Sequence, residues 1–205
     1  MGGDPGGDRY WFGPDYYRKE WQVIDGNRYY FQNGYALTGY QYVKTYGDKV
    51  VFRWYNFGDD KIARDIEDGL YTIQTGGVYY FVDNVHQIGL RKVEGDYYFF
   101  CWDGYAAVGE KYAWETHCDL PCDTYLFGND GKMVNNVIVQ REDGYYYYVM
   151  GKPSTKPGLT KIGDYYYFVS STGRVATGIY YCWATNCDLP CGNYEFARTD
   201  TPEPL

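Results

Sequence analysis

The chain reads as an all-β protein, a β-hairpin solenoid of about eight short hairpins with three hairpins per turn. Three observations point there: an unusual composition, a short aromatic phrase and a longer repeat. Among 205 residues there are 28 Tyr, 10 Phe, 6 Trp and 26 Gly. Aromatic and β-branched residues separated by Gly-rich turns favour strands over helices. The phrase is a run of aromatics just after a Gly or an acidic turn. It occurs at 26–31, 77–81, 95–99, 144–148 and 164–168. Repeats at such short intervals mark arrays of small β units.

The longer repeat fixes the period. The segment Gly89-Leu90-Arg91-Lys92-Val93 returns as Gly158-Leu159-Thr160-Lys161-Ile162, 69 residues later. At that offset 19 of the 39 positions in 89–127 are identical to those in 158–196. The match carries Trp114 onto Trp183 and Tyr125 onto Tyr194. It also carries Cys118-Asp119-Leu120-Pro121-Cys122 onto Cys187-Asp188-Leu189-Pro190-Cys191. Each period holds three hairpins, and three hairpins are read as one turn. Residues one period apart then stack on one side.

The units, in order, fall near 19–43, 45–66, 68–88, 89–109, 110–134, 135–157, 158–178 and 179–200. Each carries an aromatic strand, a turn and a second short strand ending near Gly. Asn33-Gly34, Asp103-Gly104, Asp130-Gly131 and Thr172-Gly173 are read as turn signals. Asn-Gly and Asp-Gly supply the positive φ that tight hairpins need. A Gly/aromatic segment, 1–18, precedes the repeat domain, 19–200. A linker-like tail, 201–205, follows it.

The formal net charge is -8 and the pI about 4.7. Nucleic acid as main partner is excluded on that ground, because phosphate binding needs clustered Lys and Arg. The nearest basic patch, Lys152, Lys156 and Lys161, reads as a solvated loop. No stretch approaches the 18 or more apolar residues of a membrane span. The N-terminal residues have neither the basic nor the apolar region of a secretory leader.

One resemblance rests on the first unit. Trp21, Asp25-Gly26, Tyr29-Tyr30-Phe31, Asn33-Gly34 and Thr38-Gly39 follow in order. This pattern resembles the cell-wall-binding repeat superfamily, with its choline-binding modules, glucan-binding repeats and clostridial toxin repeats. Degenerate copies extend it over about 19–178. The resemblance implies a hairpin solenoid, an extracellular or cell-surface location, and attachment to a surface polysaccharide or cell-wall polymer. Choline-binding members place a Trp at the unit start and another before the Tyr-Tyr-Phe run. Here the first position is Trp21, then Leu70, Leu90 and Leu159; the second is Arg28, Val78, Tyr97, Tyr146 and Tyr166. Trp holds a cation best, so the pattern sits nearer the glucan-binding or toxin side, or a purely structural solenoid.

Candidate ligand-binding residues are therefore the aromatics Trp21, Tyr97, Trp102, Trp114, Tyr146, Tyr166 and Trp183. Side chains alternate along a strand, so roughly half of each aromatic run faces the core instead. The six cysteines read as disulfides in a thin-cored extracellular repeat. The duplicated loops suggest local bridges, Cys118 to Cys122 and Cys187 to Cys191, with Cys101 and Cys182 left over and pairing with each other one option; six cysteines allow about 15 pairings, so the connectivity stays open. Zinc is the rival reading, but its Cys pairs more often span two residues. No catalytic motif is present: His117 lies beside Cys118, yet the matching residue beside Cys187 is Asn186. No enzyme activity, cofactor or metal is expected. The sequence thus predicts a carbohydrate-binding repeat module. The alternatives are a self-assembling filament or surface-layer subunit, and a targeting module of a larger secreted protein or toxin.

Overall fold

A computed structural model describes residues 20–45, 51–73 and 76–197. The segments 1–18 and 201–205 lie outside the described residues. Among the described residues every regular element is a strand, and 19 strands pair antiparallel into eight small sheets. The predicted all-β class and the count of eight hairpins hold.

Two compact units result. The first comprises the residues up to Ile88 together with 102–105. Its first sheet is β1 (Glu20–Ile24), β2 (Asn27–Gln32) and β3 (Tyr35–Ala36). Its second is β4 (Tyr40–Thr45) with β5 (Val51–Asn56). Its third is β6 (Gly69–Thr72), β7 (Val78–Val82) and β8 (Val85–His86). The second unit comprises 89–101 and the residues from Ala106 onward. It begins with β9 (Gly89–Val93) on β10 (Asp96–Phe100), then β11 (Gly109–Tyr112) on β12 (Thr124–Phe127). Next comes β13 (Val137–Arg141), β14 (Gly144–Val149) and β15 (Lys152–Pro153). Last are β16 (Gly158–Ile162) on β17 (Tyr165–Val169) and β18 (Gly178–Cys182) on β19 (Gly192–Phe196).

The turn chemistry explains the registers. Asn33 and Gly34 both have positive φ (53° and 85°), as do Glu94 and Gly95 (53° and 97°). Two-residue turns of that kind match the strand twist. They fix the pairs Gln32 with Tyr35 and Val93 with Asp96. Asp103-Gly104, Asp130-Gly131 and Thr172-Gly173 turn the chain as the sequence reading expects, each Gly at positive φ. They sit in the links between hairpins, inside short reversals closed by the single bridges Phe100–Ala106, Phe127–Met133 and Val169–Val175. The second hairpin also starts earlier than the predicted 45–66, at Tyr40, directly after Gly39 at φ 66°.

Burial follows the alternation of the strands. On β7, Tyr79 and Phe81 are buried while Val78, Tyr80 and Val82 are half-buried. In the second unit the core itself repeats. Leu90, Phe99, Ala113 and Phe127 belong to one apolar cluster. Leu159, Phe168, Cys182 and Phe196, each 69 residues later, form another. The period seen in the sequence is thus a period of packing, with Cys182 taking the place of Ala113.

One glycine marks a close approach in the first unit. A Cβ on Gly77 would stand 2.1 Å from the Tyr105 ring, which packs 4.7 Å, centroid to centroid, from buried Tyr79. Gly77→Ala is expected to displace Tyr105 and destabilise the unit by about 1–3 kcal/mol, the usual result of overpacking. Urea unfolding followed by Trp fluorescence measures it.

Candidate functional site

The seven aromatic candidates do not converge on one place. Trp102 and Trp183 are the exposed ones, at 71% and 57%. Trp114 is half-buried, packed against the first core cluster and edge-on to Phe99 at 5.7 Å. Tyr97 is buried and spends its hydroxyl inside the fold, donating to Asp119 Oδ1 at 2.8 Å. Tyr166 does the same with Asp188 at 3.0 Å. Both tyrosines therefore hold the Cys-bearing loops in place. The Tyr97 hydroxyl also lowers the acidity range of the Asp119 carboxyl, and that carboxylate in turn raises Tyr97.

Trp21 lies in a cluster with Tyr30 and Tyr55, edge-on at 5.4 and 4.8 Å. Its indole N–H donates to the Lys44 carbonyl at 2.8 Å. The Arg28 guanidinium stands 5.5 Å from the Trp21 ring centre and 5.6 Å from that of Tyr55. These aromatic faces already carry a cation of the chain itself.

Tyr146 borders a set of adjoining clefts along the β13–β15 hairpin. One cleft, of about 360 Å³, is lined by Arg141, Glu142, Asp143, Tyr146, Tyr148 and Pro153. A second, of about 520 Å³, shares Arg141, Tyr148 and Pro153 and adds Glu110, Asp123, Tyr125 and Lys152. A third, of about 560 Å³, shares Lys152 and Pro153 and adds Tyr147, Ser154, Lys156 and Asn186. All three are open to solvent.

The polar groups of the clefts are fixed before any ligand arrives. Arg141 Nε donates to the Tyr148 hydroxyl at 2.9 Å, and its Nη1 reaches Glu110 at 3.2 Å. The guanidinium also lies 5.3 Å from the Tyr148 ring centre. Lys152 pairs with Asp123 and stands 5.1 Å from the Tyr125 ring centre. The ammonium of Lys152 holds the Asp123 carboxyl below its usual range. Tyr146 donates to Asp143 Oδ2 at 2.7 Å. Sequence reasoning found Tyr146 but missed Arg141, Lys152, Asp123 and Tyr148. The sequence alone makes Lys152 part of a solvated loop. Nothing local marked Arg141, because its partner Glu110 belongs to a different hairpin.

The first unit has its own polar knot. Trp54 Nε1 donates to His86 Nδ1 at 2.9 Å. Burial pushes the His86 imidazole toward the neutral form, below its ordinary pKa of 6.5. A neutral ring is also what the Trp54 bond needs, since only an unprotonated nitrogen accepts. As pH falls below about 6.5 the unfolded chain takes up the proton first, so stability declines there. The denaturation midpoint is expected to be constant above pH 7 and to fall between pH 6.5 and 5. His86→Gln should flatten that part of the profile.

Among the described residues, no three His, Cys, Asp or Glu side chains come together to hold a metal ion. No helix among them is long and apolar enough to cross a membrane.

No family model matches the chain. Over 174 residues, 84% of its length, it is 26% identical to glucosyltransferase-I of Streptococcus downei, of which it spans 10%. Among solved structures it is similar to CbpJ from Streptococcus pneumoniae TIGR4, at 18% identity and a TM-score of 0.36. That alignment covers 95% of this chain and 90% of the other. It is also similar to choline binding protein F from Streptococcus pneumoniae, at 20% identity and a TM-score of 0.37, covering 86% and 82%. The chain is similar to the cell-wall-binding repeat superfamily that its first unit resembles.

Proposed function

We propose that this chain is a non-enzymatic module that binds a surface or cell-wall polysaccharide along the β13–β15 hairpin. The observation that carries the reading is the set of adjoining clefts with tyrosine walls and pre-set ion pairs. Arg141 with Glu110, and Lys152 with Asp123, offset one another's charge. Such a surface offers many donors and acceptors but little net charge, which suits a neutral polyhydroxyl ligand better than a phosphate polymer. Tyrosine presents an apolar ring and a polar hydroxyl together, which matches the two kinds of surface on a sugar ring. An extended polymer crossing several shallow clefts gains avidity from effective concentration.

Choline is a poor fit at the aromatic cluster of the first unit. Arg28 already stands over Trp21 and Tyr55, and a quaternary ammonium would have to displace it. The likeness to glucosyltransferase-I, of which the chain spans 10%, supports a glucan-type ligand and a module within a larger protein.

Titration calorimetry with soluble α-glucan, peptidoglycan fragments and choline tests the reading. Heat with a neutral glycan and none with choline is expected. Binding of choline alone overturns it.

A second reading rests on β18. Ile179, Tyr180, Tyr181 and Trp183 are all exposed on or beside that strand. Ile179 and Tyr181 share one face of the strand, and exposed apolar side chains can mark contact sites, so self-association is the rival. Sedimentation velocity over a range of concentrations separates the two readings.

A further inference from the structure

Outer strand edges of the hairpins are closed by later segments of the chain. In the first unit the Ala63 N–H donates to the Arg28 carbonyl of β2 at 2.8 Å. In the second unit the Met133 N–H donates to the Tyr97 carbonyl of β10 at 2.7 Å, beside the single bridge of Tyr98 with Lys132. On β14 the Val175 N–H donates to the Tyr145 carbonyl at 2.8 Å, and the Tyr147 N–H donates to the Gly173 carbonyl at 2.9 Å. In both cases of the second unit the closing segment is a short extended link that follows the next hairpin.

No described residue closes the matching stretch of β17. Leu159 stands opposite Phe168, and both backbone groups of Leu159 turn away from that strand. Its N–H donates to the Ala184 carbonyl at 2.8 Å, and its carbonyl accepts the Asn186 N–H at 2.7 Å. Leu159 and Phe168 are thus a non-hydrogen-bonded pair. The N–H and C=O of Phe168, and those of Tyr166 two residues away, therefore face the outer edge. The Phe168 carbonyl accepts the Ala176 N–H at 2.9 Å. The Phe168 N–H and the Tyr166 carbonyl meet no partner among the described residues. Burial agrees: Tyr97 and Tyr98 are buried on β10, whereas Tyr166 and Tyr167, 69 residues later, are half-buried on β17.

The two seated links show what fits such an edge. Gly131 and Gly173 have φ of 78° and 83°, and a Cβ on them would stand 2.7 Å from Ala106 Cβ and 2.8 Å from Pro153 Cβ. A basic residue follows: Lys132 pairs with Asp96 at 2.6 Å, and Arg174 Nη2 donates to the Asp143 carbonyl at 2.5 Å. Then comes the apolar residue whose N–H makes the edge bond, Met133 or Val175. The residues 69 positions beyond Gly131, Lys132 and Met133 are Asp200, Thr201 and Pro202. Asp200 carries the Cβ that the glycines lack, Thr201 is uncharged, and Pro202 has no N–H to donate. On the hairpin side, Asp164 stands three residues before Tyr167, as Asp143 stands three before Tyr146, and it is exposed.

We propose that the outer edge of β17 is a strand-addition site for a protein partner. The partner donates an extended segment that reads glycine, Lys or Arg, then an apolar residue with a free N–H. The segment runs antiparallel to β17, as the two links do on β10 and β14. Its apolar residue donates to the Tyr166 carbonyl, its glycine carbonyl accepts the Phe168 N–H, and its basic side chain lies toward Asp164. Main-chain bonds supply the affinity in such additions, and the side chains select the partner. Asp164, Tyr166 and Phe168 line none of the clefts of the β13–β15 hairpin, so the site is independent of the polysaccharide reading.

The test is residue-resolved amide hydrogen exchange of the full chain, alone and with a millimolar synthetic peptide of the sequence 129–135. In the free chain the Phe168 amide is expected to exchange about tenfold or more faster than the bonded Tyr147 amide. The peptide should slow Phe168 and leave Tyr147 unchanged, and the same peptide with Met133→Pro should do nothing. Equal protection of Phe168 and Tyr147 in the free chain means that the edge is already closed, and overturns the proposal. So does a Phe168 rate that the peptide leaves unchanged, or that the Met133→Pro peptide slows equally. Protection that rises with the concentration of the chain alone gives the edge to a second copy and overturns the proposal as well.

Discussion

Phe99→Ala is expected to lower the stability of the second unit by about 3–5 kcal/mol, the range for deleting a buried aromatic ring. Phe99 is buried in the cluster with Leu90, Ala113 and Phe127, and its ring packs against Trp114 and Phe127 at 5.7 and 6.4 Å. The partner across the period, Phe168, is buried with Leu159, Cys182 and Phe196. Phe168→Ala should cost a similar amount. The effect is large because each hairpin is thin and few residues bury as much area as these rings. The loop contacts follow the ring: Leu120 packs in the cluster of Phe99, and Leu189 in that of Phe168. Losing Phe99 should therefore also expose the 118–122 loop, measured as faster hydrogen exchange at Leu120. A loss of stability below about 1 kcal/mol, the middle of the range for point variants, would mean that the repeated clusters are not the core.

Tyr146→Ala is expected to weaken polysaccharide binding by roughly tenfold or more, about 1.4 kcal/mol, with little change in stability. Tyr146 is half-buried beside the first cleft, and its hydroxyl is oriented by Asp143. Arg141→Ala should act in the same direction. It removes the partner of both the Tyr148 hydroxyl and Glu110, so two cleft walls lose their fixed positions. Trp102→Ala supplies the contrast. Its side chain is exposed and belongs to the first compact unit. If single exposed indoles carried the binding, Trp102→Ala and Trp183→Ala would reduce it and Tyr146→Ala would not.

Much of the architecture was legible in the residues. The aromatic phrases became strands because alternate rings bury against neighbouring hairpins, as Tyr79 and Phe81 do. The period of 69 became a period of core residues. Turn positions were harder, because a positive-φ glycine serves a hairpin and a link between hairpins equally well. Glu94-Gly95 and Asp103-Gly104 look alike in sequence, yet only the first joins two paired strands.

The candidate site was less legible. Aromatic identity does not say which face of a strand a ring occupies, so Tyr97 was singled out although its ring is buried and its hydroxyl supports a loop. Arg141 escaped notice because its role comes from Glu110, 31 residues away in sequence. For Cys101 and Cys182 the sequence offers a mutual pairing only because they are the two left over, and they pack in different apolar clusters.

The polysaccharide reading is tested most directly by calorimetric titration of the full chain and its Tyr146→Ala variant with a neutral glucan under identical conditions. Saturable heat with the native chain, reduced roughly tenfold in affinity by the substitution, is the predicted result. No heat with the native chain, or equal affinity in the two proteins, would contradict binding along the β13–β15 hairpin.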